Sequence, residues 1–538
     1  MTDRRALLVL FGAGAIAVVL AAAPYRNFDL DRFFAPKELV LHAVTLALVL
    51  LGLRRVKALE FDRIDLLLAV YLSLSLVSAL FAGDHWLSAR ALALTLSGAG
   101  LFWAARAAAA AGGRSTLLAV AAAAAVLGAA ASLAQAYGFT SGLFSLHRVP
   151  GGTLGNRNFM AHLAVICAPA LILAALKARR SWTAALGAAG LALLSAALVL
   201  SRTRAAYLGL AAGTVLIAYG VWRTRGRWND PHTTLRLKFL ALAAALGILG
   251  ALLLPNKLHW KSDSPYLDTV TGMVNYKKGS GQGRLIQYGR TLRIAAAHPL
   301  LGVGPGNWAV AYPKSVKEYD RSIDYHSGTT INPWPSSDWM ALLSERGLPA
   351  LAALLLALFW LLADAWRRAG RAAGLYDYLE SLALAGTLAV TAVVACFDAV
   401  LLLPAASFLV WTLLGALAPA SPALLAVTLT PLLRRRLALA AALIGAAAVL
   451  RSSGQVAAMA LYSGARSLAQ VTTASRFDPG NARIRSRLKA LQKRRGAPPA
   501  ITQRELHRPP AGGGDAEPLS PDPQAPAIDG DEDVSLEN

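Results

Sequence analysis

The chain has 538 residues, 56% of them hydrophobic and 15% charged, with a mean hydropathy of +0.48. A soluble protein of this length would need several separate cores; here the apolar residues come in runs long enough to cross a bilayer as helices, which predicts an all-α, polytopic membrane protein. The net charge of +23 does not point to nucleic acid, because the basic residues sit in short clusters between apolar runs and none of these clusters is interleaved with aromatics.

Arg4 and Arg5 precede the first apolar run, and no clear cleavage signature follows it, so this run is read as a retained first span. Spans are predicted near 6–24, 38–53, 64–82, 89–111, 115–137, 160–176, 183–201, 205–222, 237–254, 347–366, 378–398, 402–419 and 437–451. The last is short, so 12 or 13 crossings are expected. Residues 421–433 are apolar but too few to cross, and read as an interfacial piece or an extension of a neighbour. Cys167 and Cys396 both lie in apolar runs and read as small core residues, not as a disulfide or a metal site.

Orientation follows from counting Lys and Arg in alternate loops. With the N-terminus inside, the inside loops carry 22 such residues and the outside loops 8, leaving aside the long loop between the ninth and tenth spans. That loop, residues 255–346, is then outside. Residues 1–454 form the membrane domain. Residues 455–495 read as a helix, a turn at Phe477-Asp478-Pro479-Gly480-Asn481 and a second, basic helix; this unit resembles one tetratricopeptide-type hairpin and is a candidate surface for a protein partner. Residues 496–538 are rich in Pro, Gly and acidic residues, and are expected to be disordered.

Polar residues beside apolar spans carry the functional signal, because each is costly in hydrocarbon. Gly151-Gly152-Thr153-Leu154-Gly155-Asn156-Arg157-Asn158 precedes the sixth span. Its glycines permit close backbone approach, and Asn156, Arg157 and Asn158 offer two amides and a charged fork. The plain alternative is a tight turn capped by Asn. Arg202 and Arg204 sit between two spans with almost no loop. One can snorkel to the headgroups, but two in so tight a hairpin predict that at least one faces a polar cavity, and guanidinium suits a diphosphate. Gly283–Arg293 reads as an amphipathic helix that carries Arg284, Arg290 and Arg293 and ends before Pro299; a glycine-rich turn follows it. The alternative is a basic surface helix on anionic headgroups. His326 comes next, then Asn332–Trp339 and Ser344–Gly347. Asp338 and Glu345 are seven residues apart and would share one side of a helix; the alternatives are an N-cap role for Asp338 and pairing with Arg346 for Glu345.

The order GNRNFMAH, TRAAYLGL, GRLIQYGRTLRIAAAHPLLGVGPGNW and SSDWMALLSERGLPALAALL, over roughly residues 150–365, resembles the O-antigen ligase and polymerase superfamily of membrane glycosyltransferases. The resemblance implies glycosyl transfer on the periplasmic face of the bacterial inner membrane, with a cytoplasmic N-terminus and without metal or cofactor. The implied donor is a glycan on undecaprenyl diphosphate, and the implied acceptor is of lipid A–core type. Polymerisation onto a second lipid-linked glycan and protein O-glycosylation are the variants. Arg204 and Arg284 stand where the family holds the diphosphate, and Arg202 and Arg290 are further candidates. Fixed guanidinium charges aimed at the leaving diphosphate stabilise its departure.

The chain departs from the family where a His is expected two residues before Asp338, because Ser336 stands there. A hydroxyl does not replace imidazole as a base near neutral pH. Three readings follow: His326 reaches the site from the loop, Asp338 or Glu345 is the base, or the acceptor or the level of activity differs. A polysaccharide or lipid transporter is the competing class. It would place charges at mid-span, whereas Asp364 and Asp398 lie near span ends and the polar residues concentrate at one surface.

Overall fold

The computed structural model of the chain describes residues 2–28, 30–54, 56–224, 230–260, 262–272, 279–320, 322–325 and 328–496. Each of the thirteen apolar runs coincides with a helix: α1 (Thr2–Leu20), α2 (Asp31–Leu53), α3 (Arg63–Leu80), α4 (His85–Ala108), α5 (Arg114–Ala136), α6 (Arg157–Leu176), α7 (Ser181–Ser201), α8 (Arg204–Arg223) and α9 (Pro231–Leu253) before the long loop. The loop contributes α10 (Pro265–Thr271), α11 (Gly279–Ala297) and α12 (Trp308–Ala311). After it come α13 (Asp338–Arg371), α14 (Leu375–Val394), α15 (Pro404–Leu417) and α16 (Pro431–Ser463), then α17 (Leu468–Phe477) and α18 (Ala482–Gly496). Ten segments of the described residues are long and apolar enough to cross a membrane, with α4 and α5 counted together as His85–Ala136. The chain is an all-α, multi-pass membrane protein.

Antiparallel succession sorts the helix ends into two faces. One face carries ionic clasps. Glu380 receives Arg114, Lys177 and Arg368; Asp364 receives Arg63 and Arg367; Asp62 and Asp65 receive Arg106. On this face two short strands pair antiparallel, β1 (Ala58–Phe61) with β4 (Leu425–Thr428). The apolar piece at 421–433 is therefore partly a strand, whose backbone groups are met by the segment after α2, and partly the first turn of α16. The other face carries the long loop, where β2 (Ile323–Asp324) pairs with β3 (Thr329–Thr330).

The eleventh and twelfth spans differ from expectation. α14 stops at Val394, residues 395–403 are not helical, and α15 has only 14 residues, all buried. At 1.5 Å per residue α15 is about 21 Å long, short of a hydrocarbon core of about 30 Å. The reason is local. The Asp338 carboxylate, itself fully buried, accepts the amides of Val400 at 2.8 Å, Leu401 at 2.9 Å and Leu402 at 3.3 Å, so these amides find their acceptor outside any helix. Ser337 caps α13 and also donates its hydroxyl to the Ala395 carbonyl at 2.9 Å.

The glycine-rich turn and the start of α13 form one unit. α13 breaks at Gly347, with φ 81° and ψ 171°. Into this break the turn inserts: the Val303 amide donates to Ser344 O at 2.9 Å, Gly304 to Glu345 O at 2.9 Å, and Leu348 to Pro299 O at 2.8 Å. Asn307 holds the far end of the turn to the α3–α4 junction, accepting the Asp84 amide at 2.7 Å and donating to Ser88 at 2.8 Å.

At the C-terminus, α16 runs 33 residues without a break, about 50 Å, so it crosses position 454 as one helix. α17 and α18 fold back around Asp478 and Asn481, with Ile484, Val471 and Ala474 packed on Met459, Tyr462 and Phe28. Residues 497–538, the expected disordered tail, lie outside the described residues.

Gly347 occupies a backbone region essentially reserved for glycine, and a Cβ there would lie 2.2 Å from the Leu300 carbonyl oxygen. Gly347→Ala is expected to cost at least about 2 kcal/mol, read as a lowered Tm of the detergent-solubilised protein, whereas Gly370→Ala, with open space around it, should leave Tm unchanged.

Candidate active site

The loop face gathers polar groups from six separate stretches. Asn158, in the first turn of α6, is the junction. Its side-chain oxygen accepts the Thr203 hydroxyl at 3.1 Å, and its amide nitrogen reaches Asp398 at 3.4 Å. Asp398 lies in the non-helical stretch after α14, where its other oxygen accepts the Ala399 amide at 2.9 Å. Arg148, from the loop before α6, and His162, one turn further into α6 than Asn158, both feel the charges of Asp398 and Arg284.

Arg284 is set by α11. One turn later on that helix, the Tyr288 hydroxyl meets the Ser336 carbonyl at 2.5 Å and the Cys396 carbonyl at 2.7 Å, and Gln287 accepts the Ser336 amide at 2.8 Å. These bonds lock α11 to the start of α13 and to the stretch that carries Asp398. Arg284 is half-buried and makes no ion pair or hydrogen bond to a described residue.

The Arg148 carbonyl accepts the Arg157 amide at 2.9 Å, but its guanidinium likewise has no partner among the described residues, although the residue is only half-exposed and held at φ 52°, a conformation uncommon for a side-chain-bearing residue. Burial pushes its pKa below the ordinary arginine value; Asp398 pulls it back up, and Arg284 adds to the depression. Two arginines close enough to repel each other, with guanidinium donors unused by the described residues, make an electropositive region suited to an anion.

His162 is fully buried, and neither ring nitrogen has a hydrogen-bond partner. An unmet buried polar group costs about 1–3 kcal/mol, and in a native protein such a group calls for an explanation. Asp398 and Arg284 are the charged groups acting on it.

The other sequence-predicted residues fall around this region in different roles. Arg204 adjoins Thr203 and donates to the Gly272 carbonyl at 3.0 Å; a Cβ at Gly272 would overlap the guanidinium, so the glycine admits it. Arg202 donates to Thr269 at 3.1 Å and stacks on Trp260 with its guanidinium carbon 4.8 Å from the ring centre; Arg157 lies over the same ring at 5.7 Å. Arg202 and Arg204 thus clasp α10 and its approach. Asn156 is buried and caps α6, accepting the Asn158 amide at 2.9 Å.

Arg290 is paired with Asp320, which also accepts the Tyr312 hydroxyl at 2.8 Å. Burial pushes the Asp320 carboxyl up, but the Ser322 amide, Tyr312 and Arg290 outweigh it and hold the carboxyl below its usual range. Glu345 is buried and accepts the amides of Trp308, at 3.3 Å, and Gly306. Arg346, beside it, is buried between Tyr71 and Thr95. Asp338 and Glu345 do share one side of α13, yet both carboxylates are turned to main-chain amides. His326 lies outside the described residues.

Sequence reading missed Arg148, His162 and Asp398 as members of the site. The signal for His162 was present, as an imidazole inside an apolar run within GNRNFMAH. Asp398 stands at a span end, a position where a charge is ordinary.

The loop face of this multi-pass helical bundle thus brings Arg148, Asn158, His162, Arg284 and Asp398 into one electrostatic neighbourhood. Residues 189–355 match the family model described as O-antigen ligase. This segment, from within α7 to within α13, is therefore similar to O-antigen ligases, the superfamily that the motifs resemble. No curated protein matches the chain. The matched segment contains Arg202, Arg204, Arg284, Arg290, Asp338 and Glu345, whereas Arg148, Asn158, His162 and Asp398 are contributed from outside it.

Because neither ring nitrogen of His162 makes a hydrogen bond, His162→Leu should keep or raise the Tm in detergent; a lowered Tm would assign the imidazole a packing role instead. The Asp320 clasp has a defined pH window. Its folded pKa is depressed, so its contribution is complete above the unfolded value of about 3.9, declines as pH falls below that, and is gone beneath the folded value. Protease accessibility of residues 312–325 should therefore be flat from pH 7 to about 5 and rise only on stronger acidification, and Asp320→Asn should show the raised accessibility at every pH.

Proposed function

We propose that the chain transfers a glycan from a polyprenyl diphosphate to a hydroxyl acceptor of lipid A–core type at the face that carries the long loop. The observation that supports this reading is that Arg148 and Arg284, whose guanidinium groups have no partner among the described residues, act electrostatically on each other, and that Asp398, held by Asn158, acts on Arg148 and on the buried His162. The basic-residue asymmetry of 22 to 8 supports a periplasmic loop face, with the N-terminus in the cytoplasm of a bacterium whose inner membrane holds the bundle.

In this reading the acceptor oxygen bonds to the anomeric carbon, and the bond from that carbon to the diphosphate oxygen breaks. The electron pair leaves with the diphosphate, whose developing charge is met by the guanidinium groups of Arg284 and Arg148, already oriented and partly desolvated. Arg204 adjoins through Thr203 and extends the same positive surface toward the lipid tail. The acceptor proton goes to Asp398, whose carboxylate is only weakly held by Asn158. Asp338 and Glu345 act as positioning residues: the first fixes the stretch that carries Asp398, and the second fixes the glycine-rich turn at the base of α11. The same chemistry serves a second lipid-linked glycan or a protein hydroxyl as acceptor. The ligase reading is preferred because the matching family is described by that activity.

Complementation of a deletion strain tests the proposal. Arg284→Ala and Arg148→Ala are each expected to lower transfer by about 100-fold or more with unchanged protein level, and Asp398→Asn should do the same. Normal surface glycan in the Arg284 and Arg148 variants would overturn the anion-site reading. The lipid-linked intermediates separate the acceptors: long chains accumulate if a ligase is lost, single repeats if a polymerase is lost.

A further inference from the structure

The lobe between α12 and α13 contains an open cleft of about 420 Å³ that the transfer reaction does not use, lined by Pro313, Lys317, Glu318, Tyr319, Ile323 and Tyr325 among others. Its distinctive feature is a pair of tyrosines. The rings of Tyr319 and Tyr325 stack with centres 5.6 Å apart and planes 11° from parallel. They are 78% and 56% exposed, far more than folding requires of aromatic side chains.

The wall is rigid for a loop. The Tyr325 hydroxyl accepts the Asp320 amide at 2.8 Å, Asp320 is clasped by Arg290 and Tyr312, and Ile331 donates back to the Ser322 carbonyl at 2.9 Å. The Tyr319 hydroxyl makes no such bond among the described residues, so that ring is held by stacking and remains available on its outer side.

We propose that this cleft is a saccharide subsite that takes a sugar ring of the glycan being transferred or extended. Three observations select a sugar over other ligands. The cleft is open, whereas apolar small molecules bind where most of their surface is enclosed. Among the described residues its rim carries one cation and one anion, Lys317 and Glu318, neither in an ion pair with another described residue, so their charges offset each other and neither sign of ligand is favoured by them. A pyranose ring matches what remains: its hydrogen-bearing face packs on an exposed aromatic ring, while its hydroxyls both donate and accept, which suits an ammonium and a carboxylate side by side.

The position also fits. The cleft is tied to α11 at Arg290, six residues beyond Arg284, which is about 9 Å of helix rise from the electropositive region. A glycan whose reducing end sits at that region would lay its next sugars along α11 toward the tyrosines.

This inference rests on the glycosyl-transfer reading, and the test keeps the two apart. Full-length protein in detergent is titrated with two probes: the host's surface polysaccharide released by mild acid and sized to one to four repeats, and the delipidated core oligosaccharide. Saturation transfer from the protein to sugar protons reads the binding. Wild-type protein should bind at least one probe. Tyr319→Ala should weaken that binding by about tenfold, in line with the strength of ring contacts, and Tyr319→Phe should retain it. The probe that shows the tyrosine dependence identifies the donor or the acceptor glycan as the occupant. Absence of binding in the wild type, or equal binding in wild type and Tyr319→Ala, overturns the subsite. The transfer reading fails separately, if Arg284→Ala leaves surface glycan unchanged, whatever the probes do.

Discussion

A single buried carboxylate sets the geometry of the loop face. Asp338 accepts three consecutive main-chain amides from residues 400–402, and its own amide donates to the Ala395 carbonyl at 2.9 Å. In a membrane interior unpaired amides are costly, so a stretch between helices persists only where the protein supplies acceptors. Asp338 supplies them, and the non-helical segment 395–403 is the result. That segment presents Asp398 to the electropositive region and the Cys396 carbonyl to Tyr288. Through Tyr288 it fixes α11, and through α11 both Arg284 and the Arg290 clasp of the outer lobe. The residue that looks most like a catalytic acid in the sequence is the one on which the placement of the others depends.

The two faces treat charge differently. On the face opposite the loop, carboxylates are saturated with cations: Glu380 alone joins α5, α6 and α13 through Arg114, Lys177 and Arg368. There the carboxylates are shared among several cations and knit helix ends together. On the loop face many arginines are also used, Arg90 on Glu38 and Asp31 and Arg32 on the carbonyls of Gly142 and Phe144. Arg148 and Arg284 stand apart. Two mutually repelling cations with only the Asp398 carboxylate near them are unfavourable in the empty protein, and that cost is returned when an anion enters.

The membrane helices were legible because hydropathy and the length of a bilayer crossing constrain the sequence strongly. All thirteen apolar runs became helices, and even the short run at 437–451 proved to be the middle of α16. What was not legible depends on partners distant in sequence. The strand at 425–428 is one only because residues 58–61 lie beside it. α15 is shortened by a carboxylate more than sixty residues earlier. Asp338 and Glu345 carry the residue type of a base, but their burial and main-chain partners appear only in three dimensions. His162 is visible as a polar residue in an apolar run, and only the fold brings Asp398 and Arg284 near enough to act on it. Arg148 entered the topology count as one basic residue among many, since nothing local in Leu146-His147-Arg148-Val149 distinguishes it.

The pairing of β1 with β4, and of α2 with α16, joins the beginning of the chain to its end. From Phe61 to Leu425 there are 425 − 61 = 364 residues. At a synthesis rate of about 5–20 residues per second, α2 therefore waits roughly 20 to 70 s for the helix that covers it. During that interval its flank meets only lipid or the insertion machinery. The last crossing thus acts as a closing stave for the barrel of helices, and a ribosome that stops short of it leaves an open bundle rather than a smaller finished one.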